Sequence, residues 1–307
     1  MNVFNSHGAA LATTIPEYLR QLRRSLAGAD PALLQDALYD AEEYLRSELA
    51  EHPGKSEAEV IASVASSYGA PEEVAEIYRD TEIKVQTALT PPRARPRRSL
   101  AGRFFGVAAE PRAYAALFYM LLSMATGLFY FTWVVTGASL SVGLAVLIIG
   151  IPFVILFFGS VRVLSLVEGR LVEVMLGERM PRRPLYSARG KPWLERITDM
   201  FTDPRTWGTL LYMVLMLPLG VVYFSVAVTL LSASLSFVFA PLALLPGLNF
   251  NLWMFGIDIP SEAPWLLPLM SVLGVLLAFV TLHIARGIGY LHGQLAKHLL
   301  VKSAQHA

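Results

Sequence analysis

The sequence predicts an all-α membrane protein in which a small N-terminal helical bundle precedes a four-helix transmembrane domain. First, 54% of the 307 residues are hydrophobic, 16% are charged and the mean hydropathy is +0.50, which is more apolar than a typical soluble chain. Second, apolar residues recur at helical spacing up to position 89, and later form runs long enough to cross a bilayer. Third, this later region contains an internal sequence duplication.

The N-terminal domain, residues 15–89, is expected to be a compact bundle of four short helices. Tyr18, Leu22 and Leu26 fall on one face of the first helix, and Gly28 follows its end. Capping residues mark the later helix starts. They are Asp30 before Pro31, the pair Ser56 and Glu59, and the segment Pro71-Glu72-Glu73.

This domain is acidic, because residues 17–82 contain 15 acids and 6 bases. Such a surface repels phosphates, so we expect no direct nucleic-acid binding. Acidic side chains on the second helix could form a docking site for a basic partner, or simply a solvated helix face. The candidate partner-binding residues are Asp36, Asp40, Glu43 and Glu51.

A linker rich in proline and arginine, residues 90–103, separates this bundle from the membrane domain, residues 104–302. Its basic side chains lie just ahead of the first apolar run, where arginines contact anionic lipid headgroups on the cytoplasmic side. The candidate headgroup ligands in the linker are Arg93, Arg95, Arg97 and Arg98. Membrane lipids are therefore expected partners.

Four apolar stretches are long enough to span a membrane, and none contains a charged side chain. This absence disfavours a secondary transporter, which usually places ionisable groups inside the membrane. A further apolar stretch, residues 232–246, could be a re-entrant or additional segment. The four predicted spans are residues 114–135, 140–161, 207–231 and 265–285.

The basic residues also predict the orientation of the spans. Residues 162–205 contain nine Lys and Arg, whereas the expected turn around Gly137 and residues 245–264 contain none. Because positive loops stay in the cytoplasm, both termini are expected there. Residues 1–16 lack the features of a secretory signal.

The segment EPRAYAALFYM, residues 110–120, returns as DPRTWGTLLYM, residues 203–213. A shift of 93 positions also superposes Gly127 on Gly220. The duplication predicts two parallel helical-hairpin repeats, at about residues 104–177 and 197–300. In each copy the acid is expected to cap the helix, and the arginine, Arg112 or Arg205, is expected at the lipid headgroups.

Small residues in the spans permit close helix packing, within one chain or between copies in a homo-oligomer. They include Ser123, Gly127, Ser139 and Gly143.

No residue pattern predicts catalysis, a cofactor or a metal, so no catalytic, cofactor-binding or metal site is expected. The chain has no cysteine, and His283 and His292 are nine residues apart, on opposite faces of a helix. We expect the histidines at interfaces or on the surface. On the outer side, a candidate sensing site for a cation or cationic peptide consists of Trp253, Asp258, Glu262 and Trp265. An aromatic belt beside a solvated loop is the alternative explanation.

Residues 18–78 resemble the HAAS signalling domain, also called the DUF1700 family. The helix pair that carries the resemblance includes the segment YGAPEEVA, residues 68–75. The resemblance implies a bacterial domain on the cytoplasmic side of the membrane. It also implies a partner such as a PadR-like transcriptional regulator.

Residues 104–300 resemble the four-helix sensor domain at the front of many actinobacterial histidine kinases. The resemblance rests on the segments PRTWGTLLYMVLMLPLGVVYF, RVLSLVEGRLVEVMLGE and ARGIGYLHGQLAKHLL. No phosphoacceptor domain or Gly-rich ATP lid follows residue 300, so we expect a signal to pass by contact. The resemblances imply a non-enzymatic signalling protein of the bacterial cytoplasmic membrane. An accessory or docking subunit of a transporter is the alternative.

Overall fold

The computed structural model describes residues 12–89, 99–144, 150–183, 198, 201–245, 253–254 and 256–301. Within these ranges the regular secondary structure is helical apart from one short β-ribbon, which confirms the predicted all-α class. Four helices are long and apolar enough to cross a membrane, by length and composition.

The N-terminal helices begin where their capping residues predict. They are α1 (Ile15–Ser25), α2 (Pro31–Glu51), α3 (Glu57–Ser67) and α4 (Pro71–Leu89). The Asp30 carboxylate accepts a hydrogen bond of 2.9 Å from the backbone N–H of Ala32. Ser56 and Glu59 form the predicted reciprocal capping box. These contacts satisfy backbone groups that the first turn of a helix otherwise leaves unpaired.

The helices of this bundle close around one apolar core, to which Tyr18, Leu22 and Leu26 contribute fully buried side chains. The Tyr18 hydroxyl donates a hydrogen bond of 2.9 Å to the carbonyl oxygen of Gly69. Gly69 has a φ of 117°, which a residue with a side chain rarely adopts. The tyrosine therefore fastens α1 to the turn between α3 and α4.

The C-terminal part of the chain consists of long helices joined by short elements. In chain order, these elements are α5 (Leu100–Phe105), a 3-10 turn (Gly106–Ala109), α6 (Pro111–Leu144), α7 (Gly150–Leu176), α8 (Pro204–Val238), a 3-10 turn (Ala240–Leu244), β1 (Trp253–Met254), β2 (Ile257–Asp258), α9 (Ile259–Glu262) and α10 (Leu266–Leu300). At 1.5 Å per residue, the 34 residues of α6 extend about 50 Å. Such a helix exceeds the roughly 30 Å hydrocarbon core of a bilayer.

One local prediction is wrong. Gly137 does not lie in a turn, because α6 continues through it to Leu144. An added Cβ at Gly137 would lie 2.2 Å from the Phe157 ring, so this glycine serves helix packing. For the stretch 232–246, where two possibilities were open, residues 232–238 continue α8 and Ala240–Leu244 follow as a 3-10 turn. Position 246 lies outside the described residues.

The described residues divide into two compact units. One combines α1 to α4 with Arg162–Arg170 of α7 and with residues 179–183. The other contains α6, α8, α10 and the remaining parts of α7. Helix α7 thus contributes residues to both units.

Within the second unit, α6 and α8 bury equivalent residues. Seven of the eight buried residues of α8 lie 93 positions after a buried residue of α6. They are Thr206, Thr209, Tyr212, Met213, Met216, Gly220 and Ala227. The repeat that the sequence shows is therefore also a repeat of packing.

The two helices approach each other most closely at paired glycines. A Cβ added to Gly127 would lie 2.3 Å from the carbonyl oxygen of Met216. A Cβ added to Gly220 would lie 2.3 Å from the carbonyl oxygen of Ser123, the residue equivalent to Met216. This reciprocity is what a local two-fold relation between the repeats requires. The backbones touch here because glycine has no side chain.

We expect Gly127→Ala to destabilise the second unit by about 1–3 kcal/mol, because the new methyl group overlaps backbone atoms of α8. Gly143→Ala in the same helix is the matched control, since nothing lies within 4 Å of its added Cβ. That change should stabilise the helix by up to about 1 kcal/mol. Equilibrium unfolding in mixed micelles measures both. Equal stability of the two variants would contradict the close contact.

Candidate functional site

A buried arginine joins the N-terminal bundle to residues that follow α7. The Nη2 atom of Arg179 lies 3.0 Å from Oδ2 of Asp36 on α2, and its Nε atom lies 3.2 Å from Oε2 of Glu82 on α4. All three residues are at most 7% exposed. Charged groups removed from water in this way are retained when opposite charges and hydrogen bonds compensate them.

Asp36 also binds the main chain of the same segment. Its Oδ1 atom accepts hydrogen bonds of 2.7 Å from the N–H of Arg182 and 2.8 Å from the N–H of Arg183. Beside it, Nε2 of Gln35 donates a hydrogen bond of 2.6 Å to the carbonyl oxygen of Arg183. Helix α2 therefore contacts both a side chain and the backbone of this segment.

A second ion pair lies at the edge of this site. Arg183 Nε lies 2.8 Å from Oδ1 of Asp40, and its guanidinium carbon lies 5.8 Å from the centre of the Tyr39 ring. The Tyr78 hydroxyl donates a hydrogen bond of 3.0 Å to Oδ2 of Asp40. We call the set of Asp36, Asp40, Glu82, Arg179 and Arg183 the arginine clasp.

The Met180 side chain anchors the segment that carries Arg179 and Arg183. Met180 is 1% exposed, and its side chain lies over Gly169 of α7, where an added Cβ would be 3.5 Å from the Met180 Cβ. The Arg179 guanidinium also donates a hydrogen bond to the carbonyl oxygen of Met180. Residues 179–183 are thus held by apolar packing as well as by charge.

Burial affects the titration of the acids in this site. Burial raises the pKa of Asp36, although the two backbone amides and Arg179 act in the opposite direction. Desolvation of this carboxylate therefore outweighs the attraction of its partners. Burial also raises the pKa of Tyr78, and the charge of Asp40 adds to the effect.

The structure brings together two of the four predicted partner-binding residues, Asp36 and Asp40. Glu43 is half-buried and Glu51 is exposed. Sequence reasoning missed Glu82 and the basic segment RMPRR, residues 179–183. The available signal was a cluster of three arginines within five residues, which above serves only as evidence for the orientation of the spans. A partner-binding role for the acidic residues remains a prediction.

The predicted headgroup ligands occupy different environments. Arg93, Arg95, Arg97 and Arg98 lie outside the described residues. Arg112 packs against Gly177, which has a φ of 77° and follows the last residue of α7. Arg205 is half-buried at the start of α8, where the Asp203 side chain caps the helix as predicted. A headgroup role for these arginines remains a prediction.

The equivalent acid of the first repeat has another partner. The Oε2 atom of Glu110 lies 2.9 Å from Nη1 of Arg286 on α10, in a solvent-accessible ion pair. Such pairs are typically worth less than about 1 kcal/mol.

The four candidates for external sensing lie on the β-ribbon and the elements after it. Trp253 pairs with Asp258 across the ribbon, and Oδ2 of Asp258 accepts a hydrogen bond of 2.6 Å from the Ser261 hydroxyl. Trp253, Glu262 and Trp265 are exposed. Their sensing role also remains a prediction.

A histidine and three tyrosines form a polar cluster inside the second unit. His292 Nε2 lies 2.6 Å from the Tyr119 hydroxyl and 2.9 Å from the Tyr212 hydroxyl. The Tyr223 hydroxyl lies 3.4 Å from Nδ1. Tyr119 and Tyr212 are equivalent residues of the two repeats, so both repeats meet at one imidazole. Their convergence fits repeats that run in the same direction.

The expected interfacial or surface position is wrong for His292, which is fully buried. Spacing along one helix predicts whether histidines share a face, but not whether other helices cover that face. Here α6 and α8 both cover it. Within the described residues, no three metal-ligating side chains come together as a metal ion would need.

An apolar cavity of about 350 Å³ lies between α6 and α7. Four aromatic rings line it, those of Phe129, Trp133, Phe153 and Phe157. Across one wall, Nε1 of Trp133 donates a hydrogen bond of 2.9 Å to the Ser160 hydroxyl. The lining suits an apolar molecule rather than an ion.

These features define an all-α protein with a helical N-terminal domain and four helices that are long and apolar enough to cross a membrane. The family model Sensor, described as "Putative sensor", matches residues 119–300, which is more than half of the chain. The chain therefore belongs to this family. A second model, HAAS, matches residues 17–77. No curated protein and no solved structure matched the chain. Together the two family models support a sensing and signalling role at a membrane.

We expect Arg179→Met to destabilise the N-terminal unit by about 3–5 kcal/mol, because two buried carboxylates lose their shared cation. Arg46→Met is the control, since its ion pair with Glu42 is a partly exposed pair within one helix and is worth about 0.3–0.5 kcal/mol. Hydrogen exchange of α2 and α4 in the full-length protein measures both. Similar protection in the two variants would show that the clasp contributes little.

We expect His292→Phe to destabilise the second unit more than Tyr119→Phe does, because the first change removes hydrogen bonds from both repeats. Each lost bond should cost about 0.5–1.5 kcal/mol. His298→Phe is the control, because His298 is exposed on the same helix. Unfolding in mixed micelles measures the series. A neutral His292→Phe variant would exclude a stabilising role for the cluster.

Proposed function

We propose that this protein is a non-enzymatic signalling protein that senses a membrane or envelope cue and passes it to a cytoplasmic partner by contact. The observation that carries the proposal is the arginine clasp. It builds residues that directly follow membrane helix α7 into the domain that matches the HAAS model.

Helix α7 supplies the route for the signal. It is continuous over Gly150–Leu176, and its residues Arg162–Arg170 belong to the same compact unit as the clasp. Only Gly177 and Glu178 separate its last residue from Arg179. A shift or rotation of this helix would therefore reach Arg179 through the covalent chain.

A signal of this kind needs two arrangements of the clasp with different affinities for a partner. A cue that binds one arrangement of the membrane helices better than the other shifts the population between them. Interface ion pairs that form in only one arrangement are a common element of such switches. The clasp has the required parts, because its charges are costly to separate and its edge is accessible.

We further propose that the partner is a PadR-like transcriptional regulator. The resemblance of residues 18–78 to HAAS domains supports this choice, and the HAAS match supports a protein–protein interaction. The bundle is acidic, so the regulator rather than the bundle would contact DNA. The proposed location is the bacterial cytoplasmic membrane with both termini in the cytoplasm, which the distribution of Lys and Arg supports.

A second candidate is an accessory or docking subunit of a membrane transporter. The low burial of α8 favours it, since only 17% of an apolar 18-residue stretch of this helix is buried inside the protein. That surface could pack against another membrane protein, although lipid would cover it equally well. In this case the N-terminal domain would bind a transporter ATPase.

Co-purification with the full-length protein tests the proposal. The protein is co-expressed with the PadR-like regulator encoded nearest to its own gene, and the regulator's target promoter drives a reporter. We expect the regulator to co-purify with the membrane protein. Arg179→Ala should change reporter output by up to about tenfold, which corresponds to a shift of 1.4 kcal/mol in the partner equilibrium.

Arg46→Ala is the control for expression and insertion, and it should leave the reporter unchanged. Co-purification of a transporter ATPase, together with an unresponsive reporter, would reject the signalling proposal in favour of the second candidate. Substrate turnover by the purified protein would reject the non-enzymatic part of the proposal.

A further inference from the structure

We propose that the arginine clasp is a binding site for an arginine-containing peptide, where the chain's own residues 179–183 compete with a basic segment of the partner. This inference rests on the proposed signalling function and specifies the chemistry of its partner. In the structure the site is closed by its internal ligand. Loss of those contacts would open it.

The contacts to residues 179–183 are of the two kinds by which proteins recognise peptides, to a side chain and to the main chain. Asp36 and Glu82 hold the Arg179 side chain, while Asp36 and Gln35 hold the backbone of residues 182 and 183. Side-chain contacts select the residue, and main-chain contacts fix the path of the segment. An acidic surface without this geometry would attract any cation.

The site distinguishes arginine from lysine. The Arg179 guanidinium uses Nε for Glu82, Nη2 for Asp36 and Nη1 for the carbonyl oxygen of Met180. A lysine ammonium is a compact charge and does not reproduce this planar fork of donors. The partner segment is therefore expected to carry arginine at the position equivalent to 179 and a second arginine four residues later.

The two arginines of the internal segment are not held equally firmly. Displacement of this segment by a competing peptide can therefore begin at the weaker one. The Arg179 side chain is 8% exposed, whereas the Arg183 side chain is 51% exposed and pairs with Asp40 at the edge of the site. Separation of the outer pair costs little, because solvent screens it. A competing segment can therefore engage Asp40 first and displace Arg179 later.

The internal ligand is covalently attached, so it acts at high effective concentration. The effective concentration of a segment tethered by a short linker is commonly in the millimolar range. The apparent affinity for an external segment equals its intrinsic affinity multiplied by the fraction of molecules in which the site is open. A movement of α7 that weakens the internal contacts would raise that fraction, and so couple the membrane helices to partner binding.

Peptide binding to the full-length protein in lipid nanodiscs tests the inference. The probe is a fluorescein-labelled peptide, GERMPRRP, which copies residues 177–184. The control peptide, GEQMPRRP, replaces the arginine equivalent to Arg179 with glutamine. Fluorescence anisotropy gives the affinity for wild-type protein and for each variant.

We expect Arg179→Ala protein to bind GERMPRRP at least about tenfold more tightly than wild-type protein, because the internal competitor is weakened. Arg183→Gln, which leaves the buried pairs intact, should increase affinity about threefold. The control peptide should bind all forms weakly. Adding Asp36→Ala to either variant should abolish the gain.

Equal affinity of wild type and both arginine variants for GERMPRRP would overturn the inference. Equal binding of the two peptides would also overturn it, since it would show general attraction between charges. Arg183→Gln keeps the test decisive if Arg179→Ala protein fails to fold. The assay contains neither regulator nor cue, so its failure would remove the exchange while the reporter result would still decide the proposed signalling function.

Discussion

The unit that contains the N-terminal bundle depends on one electrostatic constraint: a guanidinium buried in a protein must be matched by carboxylates and hydrogen-bond acceptors. Arg179 meets Asp36 and Glu82, which lie on different helices and 46 positions apart in the sequence. The cation therefore fixes α2 and α4 relative to the segment after α7. Removal of any member leaves a buried charge with too few partners, so the segment and the bundle are stable together.

The membrane half depends on a steric constraint. Between helices surrounded by lipid, the apolar driving force that packs soluble proteins is weak, and close backbone contact replaces it. Gly127 and Gly220 permit that contact reciprocally between α6 and α8. Tyr119 and Tyr212 then add polar contacts to one buried imidazole of α10. Packing and hydrogen bonding thus follow the same repeat.

The duplicated helices that complete each hairpin have diverged. Arg162 and Gly169 of α7 align with Arg286 and Gly293 of α10, and at the same shift of 124 positions Glu168 aligns with His292. Both Glu168 and His292 are fully buried. Glu168 belongs to the unit that contains the arginine clasp, whereas His292 belongs to the unit of long helices. Equivalent positions of the two repeats therefore belong to two different units.

The helices of the bundle, their caps, the number of spans and the repeat could be predicted from the sequence, because these depend on hydrophobic period and on residues close in the chain. It also identified Asp36 and Asp40 as notable acids. The tertiary structure was needed to show that they face the chain's own arginines, about 145 positions away in the sequence, and that α6 and α8 bury His292. Local pattern shows which face of a helix is polar or apolar. The partner that covers that face is decided by long-range packing, which periodicity and charge counts do not encode.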